Sequence, residues 1–170
     1  MSRPSLTSIQ ISKEYLHFNS AHFTLFSDRE REDLHGHTFY VAGAFDAEVG
    51  PDGLAFDYNL VKTKLKQLCD ELDEKTLLPE RSPHLRLSEE NGYLVAEFAG
   101  ERMPFLPRDV LTLPVRNVTV EELAPFLLER LGSDPEIRTL ELQRIELRVS
   151  SGPGQWAAAT WTAGQEIREV

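Results

Sequence analysis

The segment Leu34-His35-Gly36-His37-Thr38-Phe39-Tyr40-Val41 constrains this chain most, because it sets two imidazoles two positions apart in a β-rich run. Successive side chains of a strand point to alternate faces, so residues two apart leave the same one. His35 and His37 are therefore a pair preset by the pleat. A second β-rich run just upstream, Tyr15 to Phe23, carries His22 near its end, and an antiparallel hairpin between the runs swings that imidazole beside the pair. Three neutral imidazoles with an open fourth position have the count, type and spacing of a catalytic zinc site, where the ion polarises a carbonyl or a water. The competing reading is a set of ordinary strand histidines. His17 has the opposite parity to His22 and is expected on the other face, packed or at the surface.

The two runs, residues 8–24 and 34–48, read as strands joined by the charged loop Ser27 to Asp33, which is expected to be solvated and mobile. Pro51-Asp52-Gly53 forms a turn, and Asp57 is placed to cap a helix running to about Leu72. Leu60, Val61, Lys64, Leu65, Leu68, Cys69 and Leu72 give that helix one buried face, so it covers a sheet. A second helix opens at Thr119, where Thr119 and Glu122 fit a capping box; its face is Leu123, Phe126, Leu127 and Leu131, and Gly132 is positioned to stop it. Two closing strands, 145–150 and 156–161, flank the turn Ser151-Gly152-Pro153-Gly154. Between the helices, Leu85-Arg86-Leu87 and Tyr93 to Phe98 flank Asn91-Gly92 as a hairpin, and Asp109 to Pro114 adds a short apolar stretch. The expected architecture is one α+β domain over 1–170: a four-stranded antiparallel sheet with two helices on one face, in the order β-β-α-α-β-β, carrying a hairpin insertion at about 83–107.

Composition narrows the partners. With 170 residues, 41% hydrophobic and 27% charged, the chain can bury a single core as a globular domain. No apolar run reaches membrane-spanning length and the N-terminus lacks a signal pattern, so a cytoplasmic location is expected. A net charge of -10 disfavours nucleic acid and anionic membranes, leaving a small molecule or another copy of the chain. The single Cys69 excludes an internal disulfide and a cysteine-rich metal site, and it lies on an apolar helical stripe as a small core residue. Trp156 and Trp161 read as core or subunit-contact aromatics, and Asp57 as a cap rather than a ligand.

Five blocks in order, Phe18-Asn19-Ser20-Ala21-His22-Phe23, Leu34-His35-Gly36-His37, Gly53-Leu54-Ala55-Phe56-Asp57-Tyr58, Leu72-Asp73 and Thr119-Val120-Glu121-Glu122-Leu123-Ala124, resemble the 6-pyruvoyl-tetrahydropterin synthase / 6-carboxy-tetrahydropterin synthase family. The resemblance implies the tunnelling fold, with zinc on His22, His35 and His37 polarising the side-chain oxygens of a reduced pterin. It also implies a homohexamer, a dimer of trimers, with active sites at subunit boundaries. Typical members carry a cysteine base shortly before His-Gly-His, whereas this chain reads Arg31-Glu32-Asp33-Leu34-His35 and resembles a subtype with glutamate in that place. Members of that subtype convert 7,8-dihydroneopterin triphosphate to 6-hydroxymethyl-7,8-dihydropterin, which makes Glu32 the candidate base; the alternative is a solvated loop acid. The usual Leu-Asp-His is Leu72-Asp73-Glu74 here, so Asp73 and Glu74 are the candidate acid–base pair, with His84 as an alternative. The glutamate that usually clamps the pterin falls at Ser150 or Ser151, leaving Thr119, Glu121 and Ser151 as substrate-binding candidates. These departures leave two further readings open: the same zinc site acting on a different pterin-like substrate, and a non-catalytic relative that binds a metal or ligand.

Overall fold

The computed structural model describes residues 5–166. Residues 8–24 form two strands instead of the expected one: β1 (Leu6–Ile11) and β2 (His17–His22). The four residues Ser12 to Tyr15 are exposed and cannot continue a half-buried strand, so the chain jogs there, closed by the Leu16 N–H to the Lys13 carbonyl at 3.0 Å. Both strands pair antiparallel with one edge of the long β3 (His35–Glu48), β2 along its first half and β1 along its second.

Helix α1 (Tyr58–Leu72) starts where the sequence places it, with the Asp57 carboxylate accepting the Asn59 N–H at 2.9 Å. It delivers the chain to β4 (Lys75–Pro79), which lies parallel to β2. The insertion is a three-stranded antiparallel sheet rather than a hairpin: β5 (Arg86–Glu90), β6 (Tyr93–Phe98) and β7 (Glu101–Phe105). Asn91 and Gly92 make the expected turn with φ of 51° and 82°, but the second turn uses Ala99 and Gly100 at 49° and 83°, a pair whose alanine carries little turn signal. After a 3-10 turn at Pro107–Asp109, β8 (Val110–Leu113) pairs parallel with β4.

Helix α2 (Val120–Gly132) and a single turn, α3 (Pro135–Arg138), precede β9 (Arg144–Ser150) and β10 (Ala157–Thr162). Thr119 occupies the N-cap of α2, but the expected capping box does not form: the Thr119 hydroxyl caps nothing, and the Glu122 carboxylate accepts the Arg116 N–H at 3.0 Å instead. Gly132 is still helical, and the helix ends at Ser133.

The main sheet runs β10-β9-β3-β2-β4-β8 with β1 also on β3, seven strands in all. The sheet is thus larger than the expected four antiparallel strands: β10, β9, β3 and β2 lie together at one end of it, and the parallel β4 and β8 at the other end make it mixed. Parallel partners are joined by long crossovers, so no local turn in the sequence announces them. One face of the sheet, including Phe18, Phe39, Leu147 and Val149, packs with Val61, Leu65, Cys69 and Leu72 of α1 and Leu123, Phe126, Leu127 and Leu131 of α2. Burial pushes the Cys69 thiol up to about 12, in keeping with a core residue. A second cluster, Phe23, Leu25, Leu78, Leu85, Ala96 and Phe98, fastens the insertion to the end of β2.

Candidate metal centre

The β2–β3 register puts His22 opposite His35 and Ser20 opposite His37, so strand alternation aims all three imidazoles at the face that carries Phe18 and Phe39. Their ring centroids lie 4.7–5.2 Å apart, and one nitrogen from each falls within 4.8 Å of the others. Two of the rings are oriented by backbone carbonyls: His22 Nδ1 lies 2.8 Å from Val118 O, and His35 Nδ1 lies 2.7 Å from Asp33 O. A carbonyl can only accept, so each Nδ1 carries the proton and each Nε2 presents a lone pair.

Those lone pairs test whether a metal fits. His22 is only 5% exposed, and its Nε2 is buried without a protein partner. His35 Nε2 sits 3.0 Å from His37 Nε2. A buried acceptor with no donor is costly, and a cation bound to nitrogen relieves it. The donor set fits a metal ion. Burial lowers the His22 pKa, reinforced by the neighbouring imidazoles against the Val118 carbonyl and Glu32, and so favours the neutral, metal-binding form.

Glu32 reaches the triad from the charged loop. Its Oε2 lies 3.9 Å from His35 Nε2 and accepts the Thr24 N–H at 2.9 Å, while its own N–H donates to the Thr24 carbonyl at 2.9 Å. Burial works to raise its pKa, but the Thr24 hydrogen bonds and the nearby His35 and His22 outweigh it and hold the carboxyl below its ordinary range. The expectation of a solvated, mobile loop needs correction at this end: Arg31 and Glu32 are half-buried, and Leu25 and Arg31 form a β-bridge.

The other candidate residues are placed differently. Thr119 directly follows Val118, so the start of α2 borders the triad, and Glu121 is exposed on its first turn. The Asp73 carboxylate accepts both the backbone N–H and the side-chain amide of Asn19 at 2.7 and 3.3 Å, and Asn19 points to the face away from the histidines. Glu74, at φ 58°, is exposed on a shallow groove of about 550 Å³ that Asn19, Gly36, His37, Thr38 and Asp109 also line. Among the described residues the metal-ligating cluster holds the three histidines and neither Asp73 nor Glu74. Pairing of β9 with β3 ends at Tyr40 opposite Ser150, short of His37, and Ser151 lies in the turn beyond. The buried Ser150 hydroxyl is engaged with Gly152. His84 is exposed and belongs to no metal-ligating cluster among the described residues. His17 faces away from the triad as expected, its ring 6.0 Å from that of Tyr40.

Sequence reasoning missed Asn117, whose side-chain amide accepts the N–H groups of Leu25 and Val118 and donates to the Leu25 carbonyl, and it missed the backbone of Thr24, which holds Glu32, and the carbonyl of Val118, which orients His22. Backbone groups carry no residue-type signal, and Asn117 lies 92 positions from Leu25. A larger cavity, about 810 Å³, lies between α2, α3 and β10, lined by Ile137, Leu142 and Trp161, and holds none of the triad.

The family model for 6-pyruvoyl tetrahydropterin synthase matches residues 10–160. The chain belongs to the 6-pyruvoyl tetrahydropterin synthase family. The crystal structure of 6-pyruvoyl tetrahydropterin synthase from Plasmodium vivax matches it with a TM-score of 0.87 and 27% identity, covering 93% of this chain and 99% of that one. Variants of that Plasmodium vivax protein with a catalytic glutamate changed to alanine or cysteine match with the same TM-score of 0.87 at 26% identity. A Pyrococcus abyssi protein, provisionally assigned as a 6-carboxy-5,6,7,8-tetrahydropterin synthase, is 31% identical over 147 residues, covering 85% of this chain and 86% of its own length. A Methanocaldococcus jannaschii protein with the same provisional assignment is 27% identical over 146 residues, covering 84% and 88%. Members of the 6-pyruvoyl tetrahydropterin synthase family are lyases of pterin biosynthesis. Among the described residues, no helix is long and apolar enough to cross a membrane.

Proposed function

We propose that this protein is a zinc-dependent lyase that cleaves the side chain of 7,8-dihydroneopterin triphosphate to give 6-hydroxymethyl-7,8-dihydropterin, with Glu32 as the base. The observation that carries this reading is the Glu32 carboxylate, held by Thr24 at 3.9 Å from His35 Nε2, where no cysteine is available. The catalytic glutamate of the Plasmodium vivax protein supports it. A different product is named for the archaeal relatives, and the presence of Glu32 favours the cleavage reaction over theirs.

His22, His35 and His37 would hold zinc through their Nε2 atoms, and the bound ion would supply a Lewis acid for oxygen charge on the substrate side chain. The chain itself performs the proton transfers. Glu32, held ionised by Thr24 and the imidazoles, removes the proton of the 2′-hydroxyl. The C1′–C2′ bond then breaks, its electron pair passes into the C6=N5 unit of the ring, and C2′ leaves as an aldehyde carrying the triphosphate. Return of a proton to C1′ completes the hydroxymethyl product. Thr119 and Glu121, on the start of α2 that follows Val118, are the proposed pterin contacts, with Glu121 supplying the carboxylate that Ser151 cannot.

Asp73 and Glu74 are proposed to act at a subunit boundary of a cytoplasmic homohexamer, a dimer of trimers; the hold of Asp73 on Asn19, on the face away from the histidines, and the absence of both acids from the ligand cluster support a shared site. Light scattering should give six times the 19.3 kDa chain mass, and a monomer would remove that role.

The principal test incubates zinc-loaded protein with 7,8-dihydroneopterin triphosphate and follows oxidised, fluorescent products by chromatography. Release of 6-hydroxymethylpterin, abolished in Glu32→Ala with zinc retained, is the expected result. Unchanged substrate with zinc bound would reject the lyase and favour a different pterin-like ligand, the reading that the missing clamp at Ser150 and Ser151 supports.

A further inference from the structure

We propose that Arg31 is a positioning residue for Glu32, through which the three-stranded insertion fixes the loop that carries the base; this rests on the reading of Glu32 above. The Arg31 guanidinium is held between two aromatic rings, 5.1 Å from the centroid of Phe23, next to His22, and 5.9 Å from that of Phe98 on β6. From there Nη1 donates to the Glu32 carbonyl at 2.7 Å, and Nη2 reaches the Glu101 carboxylate of β7 at 3.3 Å. The Arg31 side chain is only 18% exposed although it starts from a loop dense in charge.

A planar guanidinium can stack on rings with its faces while donating from its edge, which an ammonium cannot do. The contact with Glu101, itself 70% exposed, adds little energy and serves to orient the fork. The two rings and the Glu32 carbonyl do the fixing. They join three separate pieces, the end of β2, the insertion and the base loop, around one side chain. With the Glu32 carbonyl and N–H both tied, to Arg31 and to Thr24, the carboxylate has little freedom to leave the triad. Cutting the first tie lets the loop between Ser27 and Asp33 move and carries the carboxylate out of reach of the reacting hydroxyl. A displacement of about 1 Å in a catalytic group costs on the order of 100-fold in rate. The insertion therefore acts as a buttress for catalysis.

The test compares Arg31→Met, which keeps the length of the stem, with wild type and Glu32→Gln in the zinc-loaded protein. Expected for Arg31→Met are a kcat lowered about 10- to 100-fold, KM and bound zinc essentially unchanged, and faster hydrogen exchange at the Thr24 amide, the donor to Glu32. Phe98→Leu keeps an apolar side chain in the cluster but removes one ring, and should lower kcat several-fold in the same pattern; it serves if Arg31→Met does not fold. Wild-type kcat with unchanged Thr24 exchange overturns the proposal, as does a parallel loss of zinc and rise in KM, which would mean general loosening. Glu32→Gln inactive beside a fully active Arg31→Met overturns this inference alone. A fully active Glu32→Gln overturns the assignment of the base and the positioning role with it.

Discussion

Replacing Asn117 by alanine should destabilise the protein and loosen the metal centre together, because one side chain serves both. Its Oδ1 accepts the N–H groups of Leu25 and Val118, each at 3.1 Å, and its Nδ2 donates to the Leu25 carbonyl at 2.8 Å. Leu25 is 6% exposed and Val118 0%, so water cannot readily replace the amide. Each net hydrogen bond contributes about 1 kcal/mol, and a buried backbone group left alone costs roughly 1–3 kcal/mol. Three lost bonds therefore sum to about 3–4 kcal/mol. At roughly 2–4 °C per kcal/mol for a chain of this size, Tm should fall by about 6–16 °C. The same segment carries the Val118 carbonyl that orients His22, and loss of such an orienting partner weakens metal binding about 10- to 100-fold. Urea unfolding of the metal-free protein reads the first effect and a competitive chelator titration the second. A stability change under about 0.5 kcal/mol, against the hydrogen-bond values used here, would refute the clamp. Undiminished metal affinity would refute its link to His22.

Two further predictions concern pH and packing. Glu122 is 13% exposed; burial raises its pKa, but the hydrogen bonds from Arg116 outweigh that and hold it below the ordinary 4.5. A depressed folded pKa gives stability that is present above 4.5 and lost as pH falls through the lower folded value, so Glu122→Gln should flatten the dependence of the urea midpoint on pH in that window, and superimposable profiles would contradict it. In β3, a Cβ on Gly43 would sit 2.7 Å from the Phe45 ring and 3.0 Å from Leu147, whereas one on Gly36 meets only the Ser20 carbonyl at 3.7 Å. Gly43→Ala should thus cost about 1–3 kcal/mol in unfolding experiments while Gly36→Ala stays near wild type, and the reverse order would show the packing to be misjudged.

What the sequence determined by itself is local and periodic. The two-residue spacing of His35 and His37 sets both rings on one face because the pleat has period two, and Asp57 caps α1 because a short acid before an apolar helical stripe satisfies the first N–H groups. The ordered blocks around His22, His35-Gly36-His37 and Thr119 carried the family, since each is a run of neighbouring residues. Tertiary structure alone decided the rest. Parallel pairing of β4 and β8 depends on a crossover and has no local code. The Thr119 capping box yielded to Arg116, which offered Glu122 a charged partner. Lone pairs on His22 and His35 face the metal position because the carbonyls of Val118 and Asp33 take their other protons, and carbonyls are common to every residue type. Arg31 became a strut and not a solvated loop charge only because Phe98, from a distant strand, closes over it. Side-chain alternation can be read along the chain, but which distant group meets a given side chain is settled only when the chain packs.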